Sequence, residues 1–323
     1  MGYVAGETIL DDEFNAFVAS SSDPYGFNHF AGTGATVYGL GQPAIPTVAG
    51  GTTTIAAAQW NSLLAGIDNI ANHTNDTMTA RTAVTAGDTI AIKSAVAADL
   101  ATLAASVAGG SVNATAISVG SELQSSRASG RFAGSHIVEH TVTFANANNM
   151  RFFFNAGGKI RVNLTRVANG GSSATSKDDS VDEMITAMGD FDIASVASTR
   201  SGTTETLTTD GLAIGFQDVT TSYQTVFLLT QANGTYTSMT LKGEIKGNAT
   251  AGSTTNVTIK MSLTDADSGD ILYTDGNVSS VDQFENFIGV TDFATKLILP
   301  TTAQGLDPVY TLSGSAETSN TTA

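Results

Sequence analysis

The chain has 323 residues, of which 41% are hydrophobic and 14% charged, and its 14 basic and 30 acidic residues give a net charge of −16. This length holds about two domains, and the negative charge argues against nucleic acid and anionic membranes as partners, because it repels their phosphates. The sequence contains no cysteine, which excludes disulfides, thiolate metal sites and a cysteine nucleophile.

The first residues, MGYVAGETILDDEF, have neither the basic region nor the apolar run of a secretory signal peptide. No run of about 18 apolar residues follows, so no transmembrane helix is predicted. We therefore expect a chain that is made in the cytosol and carries no membrane anchor.

Three helices are predicted in the first 110 residues. Two of them are predicted at residues 8–20 and 56–79. Their starts share one motif, beginning at Thr8 and Thr54: Thr-Ile, three spacer residues, an acid or amide, an aromatic residue and Asn. The third helix runs to residue 107 without the aromatic residue and the Asn, and two glycines end it. We interpret residues 1–110 as a docking module, and its predicted assembly interface consists of Phe14, Phe17, Trp60, Leu63, Leu64, Ile67 and Ile70.

The apolar spacing of the second and third helices leaves two arrangements open. These helices could pair with copies of themselves as a coiled coil about a symmetry axis, or they could pack against a β body of the same chain. Residues 111–136 are small and polar, and no aromatic residue lies between Trp60 and Phe132. We interpret residues 111–136 as a connection between two modules.

From residue 137 onward the apolar period changes from helical to two. The segments HIVEHTVTF, GKIRVNLTRV, SMTLKGEIKG and TNVTIKMSLT alternate apolar and polar residues, which predicts half-buried strands joined by Gly- and Asn-rich turns. One helix interrupts them at residues 181–191. The predicted fold is mainly β: an N-terminal helical docking segment followed by an antiparallel sandwich-like body at residues 137–315 with one inserted helix. Residues 316–323 are predicted to form a frayed tail.

The segment RFFFNAGG, residues 151–158, is the densest aromatic cluster of the sequence. We predict a strand with Phe152 and Phe154 on one face and Phe153 on the other. Because both faces carry aromatic rings, this strand is expected to be central or to lie at a subunit interface.

Residues that could carry chemistry are few. His136 and His140 share one face of a predicted strand but stand about 13 Å apart along it, too far to bind one zinc ion. The loop DADSGD is a weak calcium candidate through Asp265, Asp267 and Asp270, although it lacks the spacing of an EF-hand. The sequence has no GxSxG elbow and no phosphate-binding loop, so no catalytic residue and no cofactor are predicted.

The N-terminal half resembles a family of uncharacterised virion structural proteins from tailed phages that infect marine cyanobacteria. The resemblance rests on the motifs FN at Phe14, YGLGQ, the helix containing QWN at Gln59, and RFFFNAGGKIR. It covers most of residues 1–170, and residues 92–107 and the small-residue stretch after them do not match the family. It implies a particle component of the fibre, neck or tail type, with no enzymatic role.

The expected function is therefore that of a non-enzymatic virion subunit, made in the host cytoplasm, which docks through its helices and projects the β body. Its expected partners are other virion proteins and further copies of itself, with a trimer favoured because fibres that resemble this chain are often three-fold. A capsid decoration protein is one alternative. A host-surface or glycan-binding module is another, and it would use exposed aromatic rings, with candidates at Tyr223, Tyr236, Tyr273 and Tyr310.

Overall fold

The computed structural model describes residues 11–22, 25–50, 55–88, 93–127, 131–132, 134–167, 176–202, 207–208, 213–231, 236–266, 287–288 and 290–322. The chain divides into two compact units. Unit 1 comprises residues 1–119, 145–159 and 298–311, and unit 2 comprises residues 120–144, 160–297 and 312–323. The helical unit therefore draws on two later segments of the chain and is not the single stretch 1–110 that the sequence predicted.

The helices of unit 1 are α1 (Asp11–Val18), α2 (Phe27–Phe30), α3 (Ala57–Thr74), α4 (Lys93–Ala108) and α5 (Ala147–Asn155). The three helices predicted in the first 110 residues are confirmed as α1, α3 and α4. Three acidic residues occupy the first turn of α1, where they favour the positive end of the helix. At the start of α3, the Gln59 side chain accepts a hydrogen bond of 2.9 Å from the Ala56 N–H. Asn75, in the left-handed conformation with φ 63°, ends α3.

The core of unit 1 is formed by the apolar faces of these helices together with loop residues. Phe14, Phe30, Leu63 and Ile67 are fully buried in it, and the Phe17 and Trp60 rings meet edge to face with centroids 6.1 Å apart. Leu306, from the last segment of unit 1, is buried in the same cluster. Burial of an aliphatic or aromatic side chain contributes about 1.5–3 kcal/mol each, so this cluster stabilises unit 1 substantially.

The segment RFFFNAGG lies mainly in helix α5, so the prediction of a strand is wrong. The side chain of Asn146 caps the helix by accepting a hydrogen bond of 2.9 Å from the Asn149 N–H. Gly157, at φ +83°, follows the helix in a conformation that favours glycine. Residues 150–155 are all buried. Three consecutive phenylalanines stand in the middle of the segment, and a short apolar run of this kind fits a buried strand as well as a buried helix.

Two polar side chains of α5 anchor the loop that contains YGLGQ. Arg151 donates through Nη2 to the carbonyl of Thr33 at 2.9 Å, and it also donates to the carbonyl of Tyr38. The Asn155 amide donates to the carbonyls of Tyr38 and Gly39 at 2.9 and 3.1 Å. These bonds satisfy loop carbonyls that the helices and strands leave unpaired, as buried backbone groups require.

The strands are β1 (Ile117–Ser126), β2 (Arg131–Phe132), β3 (Gly134–Phe144), β4 (Lys159–Val167), β5 (Phe191–Ile193), β6 (Ser198–Arg200), β7 (Leu207–Thr208), β8 (Gln224–Gln231), β9 (Met239–Gly247), β10 (Asn256–Asp265), β11 (Phe287–Ile288), β12 (Val290–Pro300) and β13 (Leu312–Thr322). One sheet has the order β1-β12-β4-β5-β6 and the other the order β13-β3-β10-β9-β8-β7, and β11 pairs with β2. The chain is thus mainly β, as predicted, with an antiparallel sandwich-like body.

The strand register in unit 2 follows the alternation of the sequence. Strand β3 buries every second residue, and it pairs antiparallel with β10 so that Ile259 lies opposite His140. Strands β10 and β9 are antiparallel neighbours with Ile259 opposite Ile245. The two sheets face each other within unit 2, where the rings of Phe191 on β5 and Phe227 on β8 have centroids 4.5 Å apart.

Three further predictions for the β body need correction or extension. Residues 117–126 form strand β1, so residues 111–136 are not simply a connection. The predicted frayed tail at 316–323 belongs to strand β13 up to Thr322, because the backbone of β3 provides an antiparallel partner for it. The predicted inserted helix is confirmed as α6 (Ser176–Met188), and α5 is a second helix within the strand sequence.

Candidate assembly edge and the polar cluster behind it

The residues predicted as an assembly interface lie inside unit 1. All seven have relative exposures between 0 and 8% and pack against other residues of the same unit. The prediction of a docking surface at these positions is therefore wrong, because an amphipathic helix face looks the same in sequence whether its own chain or another chain covers it. The residues in question are Phe14, Phe17, Trp60, Leu63, Leu64, Ile67 and Ile70.

The repeated aromatic–Asn motif has an internal role in unit 1. In each copy the aromatic ring is buried, and the following Asn clamps the backbone of a distant residue with two hydrogen bonds. Asn15 holds Val48 at 2.8 and 3.0 Å, and Asn61 holds Val84 at 2.9 Å in both bonds. Asn28, which follows Phe27, holds Ile45 in the same way at 2.9 Å. The motif therefore fastens extended segments onto the helices of its own chain.

Unit 2 contains a cluster of polar side chains between its two sheets, built around the buried residues His136, His140 and Ser125. His140 on β3 lies 2.8 Å from the Thr295 hydroxyl through Nδ1 and 2.8 Å from the Ser125 hydroxyl through Nε2. Ser125, which is 2% exposed, also donates a hydrogen bond to the carboxylate of Glu317 on β13. This chain of side chains links four strands: β12, β3, β1 and β13.

His136, four residues before His140 on the same face of β3, makes a similar set of hydrogen bonds. Its Nδ1 lies 2.8 Å from the Thr291 hydroxyl on β12, and its Nε2 lies 3.2 Å from Oδ1 of Asn320 on β13. Asn320 in turn donates to the backbone carbonyl of Ser126 on β1 at 3.2 Å. The two histidines therefore connect the same strands at two levels.

Groups that can only accept hydrogen bonds determine which atom donates in each hydrogen bond of this cluster. An ionised carboxylate and an amide oxygen only accept hydrogen bonds, so Ser125 donates to Glu317, and His136 donates through Nε2 to Asn320. The oxygen of Ser125 then accepts from Nε2 of His140, which leaves Nδ1 of each histidine to accept from a threonine hydroxyl. Burial lowers the pKa of both histidines, and for His136 the charge of Arg127 adds to this effect. Both imidazoles are therefore neutral at pH 7.

This arrangement does not match nucleophilic catalysis. In a serine, histidine and carboxylate triad the acid binds Nδ1 of the histidine, and the histidine takes the proton of the serine. Here the acid binds the serine hydroxyl itself, so the proton of Ser125 points to Glu317 and away from His140. The geometry instead favours a scaffold that holds β1 and β13 at fixed positions on the sandwich.

Strands β1 and β13 are the end strands of their sheets. Nine of the eleven residues of β13 are exposed and the other two are half-buried, whereas its neighbour β3 alternates buried and half-buried residues. In β1, Ser125 is the one buried residue. Each strand pairs on one side, and along its other side it presents a row of backbone N–H and C=O groups that no described strand pairs. We refer to β13 and residues 120–126 of β1 as the open edge.

Sequence reasoning found the two histidines but missed their partners. Their spacing of four residues is matched by Thr291 and Thr295 on β12, which was the one signal available in the sequence. Ser125 on β1 and Glu317 and Asn320 on β13 carried no comparable signal, because these strands are far apart in the sequence.

The calcium candidate is only partly described. Asp265 is buried at the end of β10, and its carboxylate accepts a hydrogen bond of 2.8 Å from Lys177, whose side chain is fully buried. Asp267 and Asp270 lie outside the described residues, so the calcium prediction stays a prediction. Within the described ranges, no group of three or more His, Asp or Glu residues is placed to hold a metal ion.

Three of the four tyrosines of the glycan alternative are described, and each makes contacts inside its own unit. Tyr236 is 3% exposed, and Tyr310 packs on Phe153 in unit 1 with ring centroids 5.2 Å apart. The ring of Tyr223 makes cation–π contacts with the ammonium groups of Lys246 and Lys260, which lie 4.1 and 4.2 Å from its centroid. Tyr273 lies outside the described residues.

No protein-family model, curated protein or solved structure matches this chain. In the part of the chain that the structure describes, no helix combines the length and the apolar character needed to cross a membrane.

Proposed function

We propose that this chain is a non-enzymatic structural subunit of a tailed-phage virion, of the tail, neck or fibre type, and that it acts by assembling with further copies of itself and with other virion proteins. The observation that carries the proposal is the open edge. Long strands with unpaired backbone groups are sites for the addition of another strand, and proteins that stay monomeric usually shield them.

The polar cluster supports a structural role for this side of unit 2. Its hydrogen bonds fix β1 and β13 relative to the strands behind them, so the open edge is presented in one conformation. A preorganised surface loses less conformational entropy on association than a flexible one. The virion location rests on the resemblance of most of residues 1–170, without residues 92–107 and the small-residue stretch after them, to virion structural proteins of tailed phages infecting marine cyanobacteria.

The test is quantitative mass spectrometry of purified particles. Phage should be separated from free protein on a density gradient, and peptides of this chain should be counted against those of the other virion proteins. We expect the chain to remain with the particles at a fixed copy number. A low copy number supports a tail, neck or fibre position, and a copy number matching the capsid lattice supports the decoration alternative. Absence from washed particles would refute the proposal.

A further inference from the structure

We infer that two copies of this chain associate through the open edge about a two-fold axis, with β13 of one copy lying antiparallel to β13 of the other. This inference rests on the proposed assembly function and names its first partner, a second copy of the same chain. It replaces the three-fold arrangement expected from the resemblance with a two-fold one.

The position of the two strands argues for two-fold symmetry. Ser125 on β1 contacts Glu317 on β13, and Asn320 on β13 contacts the backbone of Ser126 on β1. Both long end strands therefore lie on the same side of the sandwich. When one surface is used by both copies the contact is isologous and closes as a dimer.

The opposite ends of the sheets do not offer a comparable surface in the described chain. They are β6, with three residues, and β7, with two. A ring or a three-fold assembly needs two different complementary surfaces, so that the edge of one copy meets a distinct surface of the next. The pairing of one long edge with another long edge satisfies more backbone groups than the pairing of a long edge with a short one.

Charge favours a second copy as the occupant. The chain has a net charge of −16, yet β13 carries one charged residue, Glu317. In residues 120–126 the one charged residue is Glu122, which forms an ion pair with Lys296 at 2.5 Å. The repulsion between two acidic chains is therefore small where their open edges meet.

The size of the open edge is adequate for a specific contact. Strand β13 lies along residues 136–144 of β3 with two irregularities in register, so it extends roughly 30 Å, and the two sheets of a sandwich lie about 10 Å apart. A strip of these dimensions on each copy, with its flanking side chains, buries on the order of 1,000 Å² in total, which is the lower range of specific protein interfaces. The serine and threonine side chains of β13 also suit hydrogen-bonded cross-strand pairs.

The first experiment measures the molar mass of the purified full chain by light scattering after gel filtration. We expect twice the 33.0 kDa of a single chain at micromolar concentration. The variant Ser313→Glu with Thr321→Glu adds like charges at two exposed positions of β13 and should weaken dimerisation at least about tenfold. The matched control is Thr221→Glu with Ser222→Glu, which adds the same charge at two exposed turn residues and should leave the dimer intact.

A second experiment uses the absence of cysteine. Single cysteines introduced one at a time at residues 313–321 should give a disulfide-linked dimer at the positions closest to the two-fold axis, and a cysteine at position 222 should give none. A monomer or a trimer by light scattering, or no cross-linking along β13, would overturn the inference. A monomer that still enters particles would leave the proposed function intact, and a dimer that is absent from particles would refute the proposed function alone.

Discussion

Removal of one Asn clamp gives the sharpest test of how unit 1 is held together. The Asn61 amide makes two hydrogen bonds of 2.9 Å with the backbone of Val84, and both residues are half-buried. A protein hydrogen bond contributes about 1 kcal/mol net, and a buried group that loses its partner costs up to about 3 kcal/mol. We expect the loss of the clamp in Asn61→Ala to lower the free energy of unfolding of unit 1 by about 1–3 kcal/mol. The higher helix propensity of alanine offsets about 0.5 kcal/mol of this loss.

Trp60 provides the assay, because it is the single tryptophan of the chain and is 2% exposed in the core of unit 1. Its fluorescence during urea unfolding follows unit 1 directly. The matched control is Asn72→Ala, at an exposed position of the same helix, which gains the same propensity without losing a clamp. The difference between the two variants isolates the clamp. Equal unfolding midpoints for the two variants would show that the clamp contributes nothing.

Three further predictions concern backbone strain, a buried ion pair and pH. Gly39→Ala should destabilise unit 1 by about 1–3 kcal/mol in the same assay, because residue 39 has φ +96° and a Cβ would lie 2.8 Å from a guanidinium nitrogen. Gly109→Ala, in the same unit, should have little effect, because a Cβ there would meet no atom closer than 3.4 Å. Lys177→Ala should cost about 3–5 kcal/mol by leaving the Asp265 carboxylate buried without its cation, and Lys177→Met with Asp265→Leu should recover most of this in urea unfolding followed by circular dichroism. Burial lowers the pKa of both histidines of the polar cluster in the folded protein below their pKa in the unfolded chain, which is about 6.5. The contribution of the neutral histidines to stability is therefore complete above the pKa of the unfolded chain, and it is lost as the pH falls through the lower pKa values of the folded protein. The urea midpoint of unit 2 should therefore decrease between about pH 7 and 5, and a flat profile would contradict neutral histidines.

The secondary structure could be predicted for helices and strands that bury one face and leave the other partly exposed. Helix α3 and strands β3, β9 and β10 each have one buried face, so their apolar periods of 3.6 and 2 identify them. Helix α5 was not predicted, since residues 150–155 are all buried and three consecutive phenylalanines fit either a helix or a strand. Its cap, Asn146, was the local signal that could have indicated a helix.

The candidate site was less predictable than the fold. The cluster depends on contacts between His136 and Thr291 and between His140 and Thr295, each pair separated by 155 positions in the sequence. Local patterns carry no information on which strands face each other at such separations. The open edge was missed for a related reason, because a polar serine- and threonine-rich tail reads as unstructured until its strand partner β3 is known.

The interleaved order of unit 1 has a consequence during synthesis. The first segment of unit 1 ends at residue 119. The α5 residues that anchor the loop of unit 1 belong to a second segment, residues 145–159, and the final segment of the unit begins only at residue 298. A ribosome that adds about 5–20 residues per second needs roughly 10–40 s to synthesise the chain between residues 119 and 298. During this interval the apolar faces of α1, α3 and α4 have left the ribosome without the segment that contributes Leu306 to their shared core. We therefore expect nascent chains to depend on a chaperone most strongly at this stage, and unit 1 to complete its folding after nearly the whole chain has been made.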